Sequence, residues 1–353
     1  MKKYVLTIFV ISIFVLSSCN KSVDPVIDPP AKQQSSGVVV VSEGLFSQNN
    51  SSIAYYSLKD NTVNQNVYAA ANSNAKLGDT ANDMKIFGNK GYIAVDQSFK
   101  IEVIDVNSFK SLGMIDLSTY GEPREISIVD STMGFVTVWN SNGDGVVKFN
   151  PSTITVISLI AVGTKPEGIA NNGKYLFVAN SGWGADSTVS VIDAAQFSVV
   201  KTLTVGINPN SVIEKNGDIY VVSTGSYSGS YTGGIFKIDP SALTVTTFKN
   251  LPGNPGDAAV AGDVILLINS SGIIKLNSNN LSITDSTFIK GGEVNPIFST
   301  IYSIAYDQSQ QKLFLGNPKD FQQNGEVVVY DVSGSELSRF DCGINPGTIV
   351  IKN

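Results

Sequence analysis

The sequence has no histidine, and only two cysteines and two tryptophans in 353 residues. Without histidine there is no Ser-His-Asp or Cys-His catalysis and no His-ligated zinc or haem. Arginine is almost as scarce, present only as Arg124 and Arg339, and the formal net charge is −6. An acidic chain with no basic stripe repels nucleic acid and anionic lipid. Nucleic acid is therefore not an expected partner. A disulfide framework is excluded as well, so the fold must rest on its own core. Long apolar runs are absent except at the start, and helical periodicity is nearly absent throughout.

That apolar start is informative. "MKKYVLTIFVISIFVLSSCN" opens with Lys2 and Lys3, continues apolar from Tyr4 to Leu16 and ends in small residues before Cys19. Residues 1–18 read as a secretory signal whose apolar stretch is short for a membrane span. Small residues directly before a cysteine make a lipobox, so Cys19 is the expected lipidation site and the only membrane attachment. Removing Lys2 and Lys3 takes the formal charge to −8. Residues 19–36, rich in proline and serine, read as a flexible tether, and residues 37–353 as one folded domain. Cys342 then has no partner and no neighbouring base, and reads as an inert buried residue.

The domain repeats. Prolines at 123, 166, 209 and 255 close similar turns ("GEP", "GTKP", "GINP", "GNP"), with first spacings of 43, 43 and 46, and Pro346 closes another. Strands ending in an acid or amide recur at Asp105, Asn150, Asp193, Asp239, Asn277 and Asp331. Their 226 residues over five steps give about 45 per repeat. Four short strands per repeat of this length predict an all-β, seven-bladed β-propeller with four-stranded blades. A β-sandwich or two small barrels would fit the strands but not the regular repeat. The N-terminal blade lacks its first strand, and "NPGTIVIKN" supplies one with nothing after it. The ring is expected to close by pairing residues 346–351 with 38–42, hiding both sheet edges.

Loops of such blades alternate between two faces. On one face the turns are tight, including "NNGK" and "KNGD", whose Asn-Gly pairs suit type I′ turns. On the other they are long ("SEGLFSQNNS", "VWNSNGDG", "NSGWGADS", "STGSYSGSYTGG", "GNPKDFQQNG") and carry Phe46, Trp139, Trp183, Tyr227, Tyr231 and Phe321. The residues following each repeat's proline should point at the channel mouth on that same face. Among them are Arg124, Glu167, Asn210, Asp257 and Tyr302. This ring reads either as structural capping, with Arg124 paired to Glu122 or Glu125, or as a hydrogen-bonding floor beneath an aromatic rim. The second is the usual make-up of a small-molecule or glycan site. Glu167 and Asp257 are the carboxylates placed for acid–base work, but nothing in the sequence brings them together. Two arginines cannot make the three-arginine clamp of sialidase propellers. "NSNGDG" half resembles a calcium loop but has Pro151 at the twelfth position, where a glutamate is needed. No catalytic residue, metal or cofactor is expected.

The repeat "KPEGIANNGKYLFVANSGWGADSTVSVIDAAQFSVVKTLTVG" resembles the YncE-like bacterial seven-bladed propellers, with their "YVAN…VxVID…V" pattern. "SEGLF", "KLGD", "DFQQ-G" and "GINPG" make the chain similar to a subgroup of Bacteroidetes surface lipoproteins that includes BtuG-type, cobalamin-capturing propellers and surface-layer propellers. The resemblance implies a lipid-anchored protein of the outer membrane and cell surface. It implies capture of a small molecule, with a corrinoid such as cobalamin as the ligand the BtuG-type members suggest, for a TonB-dependent transporter. With no histidine, such binding would use surface contacts rather than cobalt coordination. The alternatives are a scaffold for protein or glycan contacts, including a surface-layer role, and a lactonase-like enzyme. Fold alone does not choose among them.

Overall fold

The computed structural model describes residues 36–352. The signal sequence, Cys19 and nearly all of the tether lie outside them. Seven antiparallel sheets of four strands follow one another along the chain. Blade 1 holds Gly37–Ser42, Ser52–Ser57, Val63–Asn64 and the C-terminal Pro346–Lys352. Blades 2 to 7 occupy residues 81–116, 122–161, 166–204, 209–251, 258–290 and 303–341. No helix among the described residues is long and apolar enough to cross a membrane.

The strand sequences follow from their place in a blade. A second strand such as Tyr175–Asn180, "YLFVAN", is buried along nearly its whole length. Neighbouring blades cover both of its faces, so its apolar residues run on without alternation. The outermost Thr155–Ala161, "TVISLIA", has only one covered face and alternates exposed with half-buried residues. Apolar clusters fill the spaces between blades. Tyr92, Ile101 and Val103 of blade 2 pack on Val136, Val147 and Phe149 of blade 3. Val38, Val40 and Tyr56 of blade 1 pack on Phe314, Val329 and Phe340 of blade 7. Cys342 is buried in this last cluster, which pushes its thiol up to about 12.

Closure occurs as the sequence predicts. Val38 pairs with Ile351, Val40 with Ile349 and Val41 with Thr348, antiparallel. The tight turns are as expected at "KNGD", where Asn216 and Gly217 both have positive φ (50° and 89°), as a type I′ turn requires. "NNGK" differs. Only Gly173 is left-handed there, because Asn172 Oδ1 accepts from the N–H groups of Lys174 and Tyr175 and holds the turn itself.

One irregularity of the inner strands positions the site. Register slips just after the proline position, between Pro123 and Ile126, Pro166 and Ile169, and Pro209 and Ser211, and likewise between Ala81 and Asp83. Such bulges leave residues out of the ladder and re-aim their side chains. The residues displaced include Asn82, Arg124, Glu125, Glu167 and Asn210.

Candidate functional site at the channel mouth

Those bulged residues floor a cavity of about 340 Å³ at one end of the channel, together with Glu43, Asp257 and Tyr302. Trp183 and Tyr227 stand at its wall, 64% and 77% exposed. A second cavity of about 330 Å³ shares Asn82, Glu125, Ser211, Asp257 and Gly347 with the first and continues the channel. The structure thus brings Trp183, Tyr227, Arg124, Glu167, Asn210, Asp257 and Tyr302 together. It does not place Trp139, Phe46, Tyr231 or Phe321 on the cavity.

Trp139 sits half-buried behind Trp183, their rings 5.3 Å apart and nearly perpendicular. Its indole N–H donates to Pro166 O at 2.9 Å, and Arg124 lies over its ring at 4.1 Å. Lys165 approaches both indoles, at 5.2 and 5.4 Å. Trp183 is held outward by its backbone. It has φ 52°, between Gly182 and Gly184, whose φ values are 54° and 90°. Ser181 Oγ accepts the Trp183 N–H. The loop is long and glycine-flanked because a single left-handed turn must aim a large ring over the mouth. Phe321 packs instead edge-on to Tyr302 at 5.7 Å and near Phe298 at 6.2 Å, while Phe46 and Tyr231 are exposed.

Arg124 pairs with neither Glu122 nor Glu125. The bulge turns it toward the axis, where it reaches carboxylates of both adjacent blades, Asp96 of blade 2 and Glu167 of blade 4 (Nε–Oε2 3.0 Å). Asp257 opens onto the channel although blades enclose it, and accepts from Ser211 Oγ at 2.7 Å and from the Ala258 N–H. Glu43 accepts from the Tyr302 hydroxyl at 2.8 Å. Burial pushes Glu43 up to about 7, against the opposing pull of Tyr302 and Arg124. Burial also raises Glu125, to about 8, and the nearby Asp83 adds to the effect. Glu167 and Asp257 move the same way by burial. With Glu43 and Glu125 raised to or above neutral pH, the charge at the mouth is set by Asp96 and Glu167 against Arg124, with Asp257 besides, which disfavours an anionic ligand and suits a neutral or cationic one. Glu167 and Asp257 each have their own partner and do not form an acid–base pair.

Sequence reasoning missed Glu43 and Asp96. Both follow the second strand of their blades directly, after Ser42 and Val95, so aligning repeats at that position would have found them. It also missed Asn208, whose place before Pro209 reads as turn chemistry. Asp144 of "NSNGDG" ties loops together, accepting from the N–H groups of Asn140 and Lys165. Among the described residues no group of three or more His, Cys, Asp or Glu side chains is placed to hold a metal ion.

A family model described only as a domain of unknown function (DUF5074) matches residues 36–259, and the chain belongs to that family. No curated protein matches it in sequence. Solved structures share the fold. A functionally unknown protein from Desulfotomaculum acetoxidans has TM-score 0.69 at 15% identity, covering 90% of this chain and 99% of its own. A quinonprotein alcohol dehydrogenase-like protein from Bacteroides thetaiotaomicron has TM-score 0.66 at 17% identity, covering 92% and 79%. The periplasmic gluconolactonase of Pseudomonas aeruginosa has TM-score 0.66 at 10% identity, covering 90% and 98%. Enzymes thus occur on this fold, and identities this low carry the architecture alone.

Proposed function

We propose that this DUF5074 member is a non-catalytic capture protein that seats a small neutral or cationic ligand in the mouth of its propeller. One observation carries the reading: a concave, polar-floored cavity walled by two exposed aromatic rings, Trp183 and Tyr227. Exposed rings beside a hydrogen-bonding floor are the composition of a ligand site rather than of a packed loop. A corrinoid such as cobalamin is the first ligand class to test. It is a broad plate edged with amides, suited to an open mouth with aromatic walls. In this reading the protein is anchored through Cys19 on the outer membrane at the cell surface and passes its ligand to a TonB-dependent transporter.

A second reading has its own support. Ile297, Phe298 and Phe46 are more than half exposed and lie off the cavity, which favours a scaffold that contacts another macromolecule.

Isothermal titration of the propeller with cyanocobalamin and cobinamide separates the two. Capture predicts saturable binding that weakens about tenfold or more in Trp183→Ala and Tyr227→Ala and is unchanged in Phe46→Ala. No heat with either corrinoid removes that ligand class. Binding lost only with Phe46 moves the site to the apolar loops.

A further inference from the structure

The cavity wall holds two amides that the protein leaves unused. Asn208 is 2% exposed and borders the cavity, yet its Nδ2 has no hydrogen-bond partner among the described residues. Asn210, two residues on and displaced by the bulge, likewise has an enclosed, unpartnered Oδ1. An enclosed polar group without a partner is destabilising, so two at one wall call for a reason.

Comparison with the other repeats supplies one. Asn254 and Asn345 stand at the same place, directly before the proline and also left-handed, with φ 49° and 56° against 58° for Asn208. Each gives its amide to a backbone carbonyl, Asn254 to Thr224 O and Asn345 to Gly44 O. Thr224 directly follows the residue that pairs with the blade 5 proline, since Pro209 pairs with Ser223. The residue so placed in blade 4 is Ser181, since Pro166 pairs with Asn180. By analogy with Asn254, Asn208 would need the Ser181 carbonyl. That oxygen already accepts two N–H groups of the loop that carries Trp183, those of Gly184 and Asp186, which uses both its lone pairs. The turn that lifts the tryptophan to the mouth therefore also releases Asn208.

We propose that Asn208 and Asn210, beside Trp183 and Tyr227, form a subsite for a neutral group that both donates and accepts hydrogen bonds and has an apolar flank. A primary carboxamide and a sugar hydroxyl share this chemistry. Asn amides offer one donor and one acceptor function each without charge. The net negative charge left by Asp96, Glu167 and Asp257 around Arg124 turns away a carboxylate analogue of the same shape. The inference rests on the capture reading, because it uses the same cavity.

The test uses the 15N-labelled propeller, whose ring is closed by its own strands, and follows side-chain amide resonances. The probes are acetamide, methyl glucoside and acetate. Asn208→Gly assigns the Asn208 signal and keeps the left-handed backbone, which glycine adopts freely; Asn210→Ala assigns the other. Saturable shifts of both signals with acetamide support a carboxamide subsite, and shifts with methyl glucoside a hydroxyl subsite. Acetate leaves them in place. The inference is overturned if neither neutral probe moves either amide, or if acetate moves them as strongly. Corrinoid titration run in parallel keeps the two readings apart. Corrinoid binding that depends on Trp183 but changes less than twofold in Asn208→Gly, with silent amides, leaves capture standing and removes the subsite. Responsive amides with no corrinoid binding do the reverse.

Discussion

The mouth has two arcs built from the same kind of loop. On the side of blades 3 to 5, aromatic rings are tied to charge. Arg124 and Lys165 lie over Trp139, and Lys165 also faces Trp183. On the side of blades 7 and 1, rings meet rings, with Phe321 between Tyr302 and Phe298. Trp183 and Tyr227 of the first arc wall the cavity, joined by Tyr302 of the second, while Trp139, Phe321 and Phe46 stand off it. The difference shows that an aromatic in a long loop is not by itself a binding residue. Phe321 is left-handed too (φ 63°); what distinguishes Trp183 is a run of three left-handed residues, Gly182 to Gly184, that holds its ring at the cavity wall.

The largest way to break the first arc is through Arg124. Arg124→Met leaves Asp96 and Glu167 facing each other across the mouth without their cation. Removing one partner of a buried ion pair costs about 3–5 kcal/mol, and the urea midpoint should fall accordingly. Adding Asp96→Asn and Glu167→Gln to the same chain should restore much of the loss. Trp139→Ala is next. It removes a half-buried indole with its hydrogen bond to Pro166 and its stacked guanidinium, and should cost about 2–3 kcal/mol. Phe46→Ala, its counterpart in the other arc, should change stability by less than about 0.5 kcal/mol.

A pH experiment probes the second arc through Glu43, which accepts from Tyr302 within it and feels the charge of Arg124 in the first. Its carboxyl is raised to about 7 in the fold, chiefly by burial, from an ordinary value of 4.5. The folded state therefore binds more protons than the unfolded one between these values. Glu43's contribution to stability is full below about 4.5, falls as pH rises toward about 7 and is flat above. Glu43→Gln keeps an acceptor for Tyr302 and removes that fall. The variant should gain on the order of 3 kcal/mol over wild type at pH 8 and nothing at pH 4. Parallel stability curves for the two proteins across this range would show that Glu43 is not the group responsible.

Much of this was legible in the sequence, for physical reasons. Five of the seven blades keep a proline at the inner turn and every blade has a largely buried second strand, and both recur as patterns along the chain. The orphan strand after Pro346 gave the closing pair of strands because an unpaired edge must find a partner. Arg124, Glu167 and Asn210 were found because a bulge recurs at a fixed offset from the proline. Their pairings were not, since Arg124 reaches across two blade boundaries and no local spacing encodes that. Nor did the sequence divide the six aromatics into two arcs. That division depends on where each loop points, and at Trp183 on consecutive left-handed residues. Asn208 was hidden by its resemblance to Asn254 and Asn345, which are structural.

The smallest stability effect is the most discriminating. Trp183 is 64% exposed and held at φ 52°. Trp183→Gly removes a strained residue from a conformation that glycine takes freely, so stability should change by less than about 0.5 kcal/mol or rise slightly. The other contributions of the turn, including the Gly184 N–H to Ser181 O bond, are made by backbone and should survive. If Trp183 were packing for its loop, the variant would lose stability as Trp139→Ala does. If Trp183 is there for a ligand, unfolding will be unchanged while affinity for the ligand drops about tenfold or more. Paired urea midpoints and binding isotherms on this one variant therefore decide whether the first arc differs from the second in purpose or only in composition.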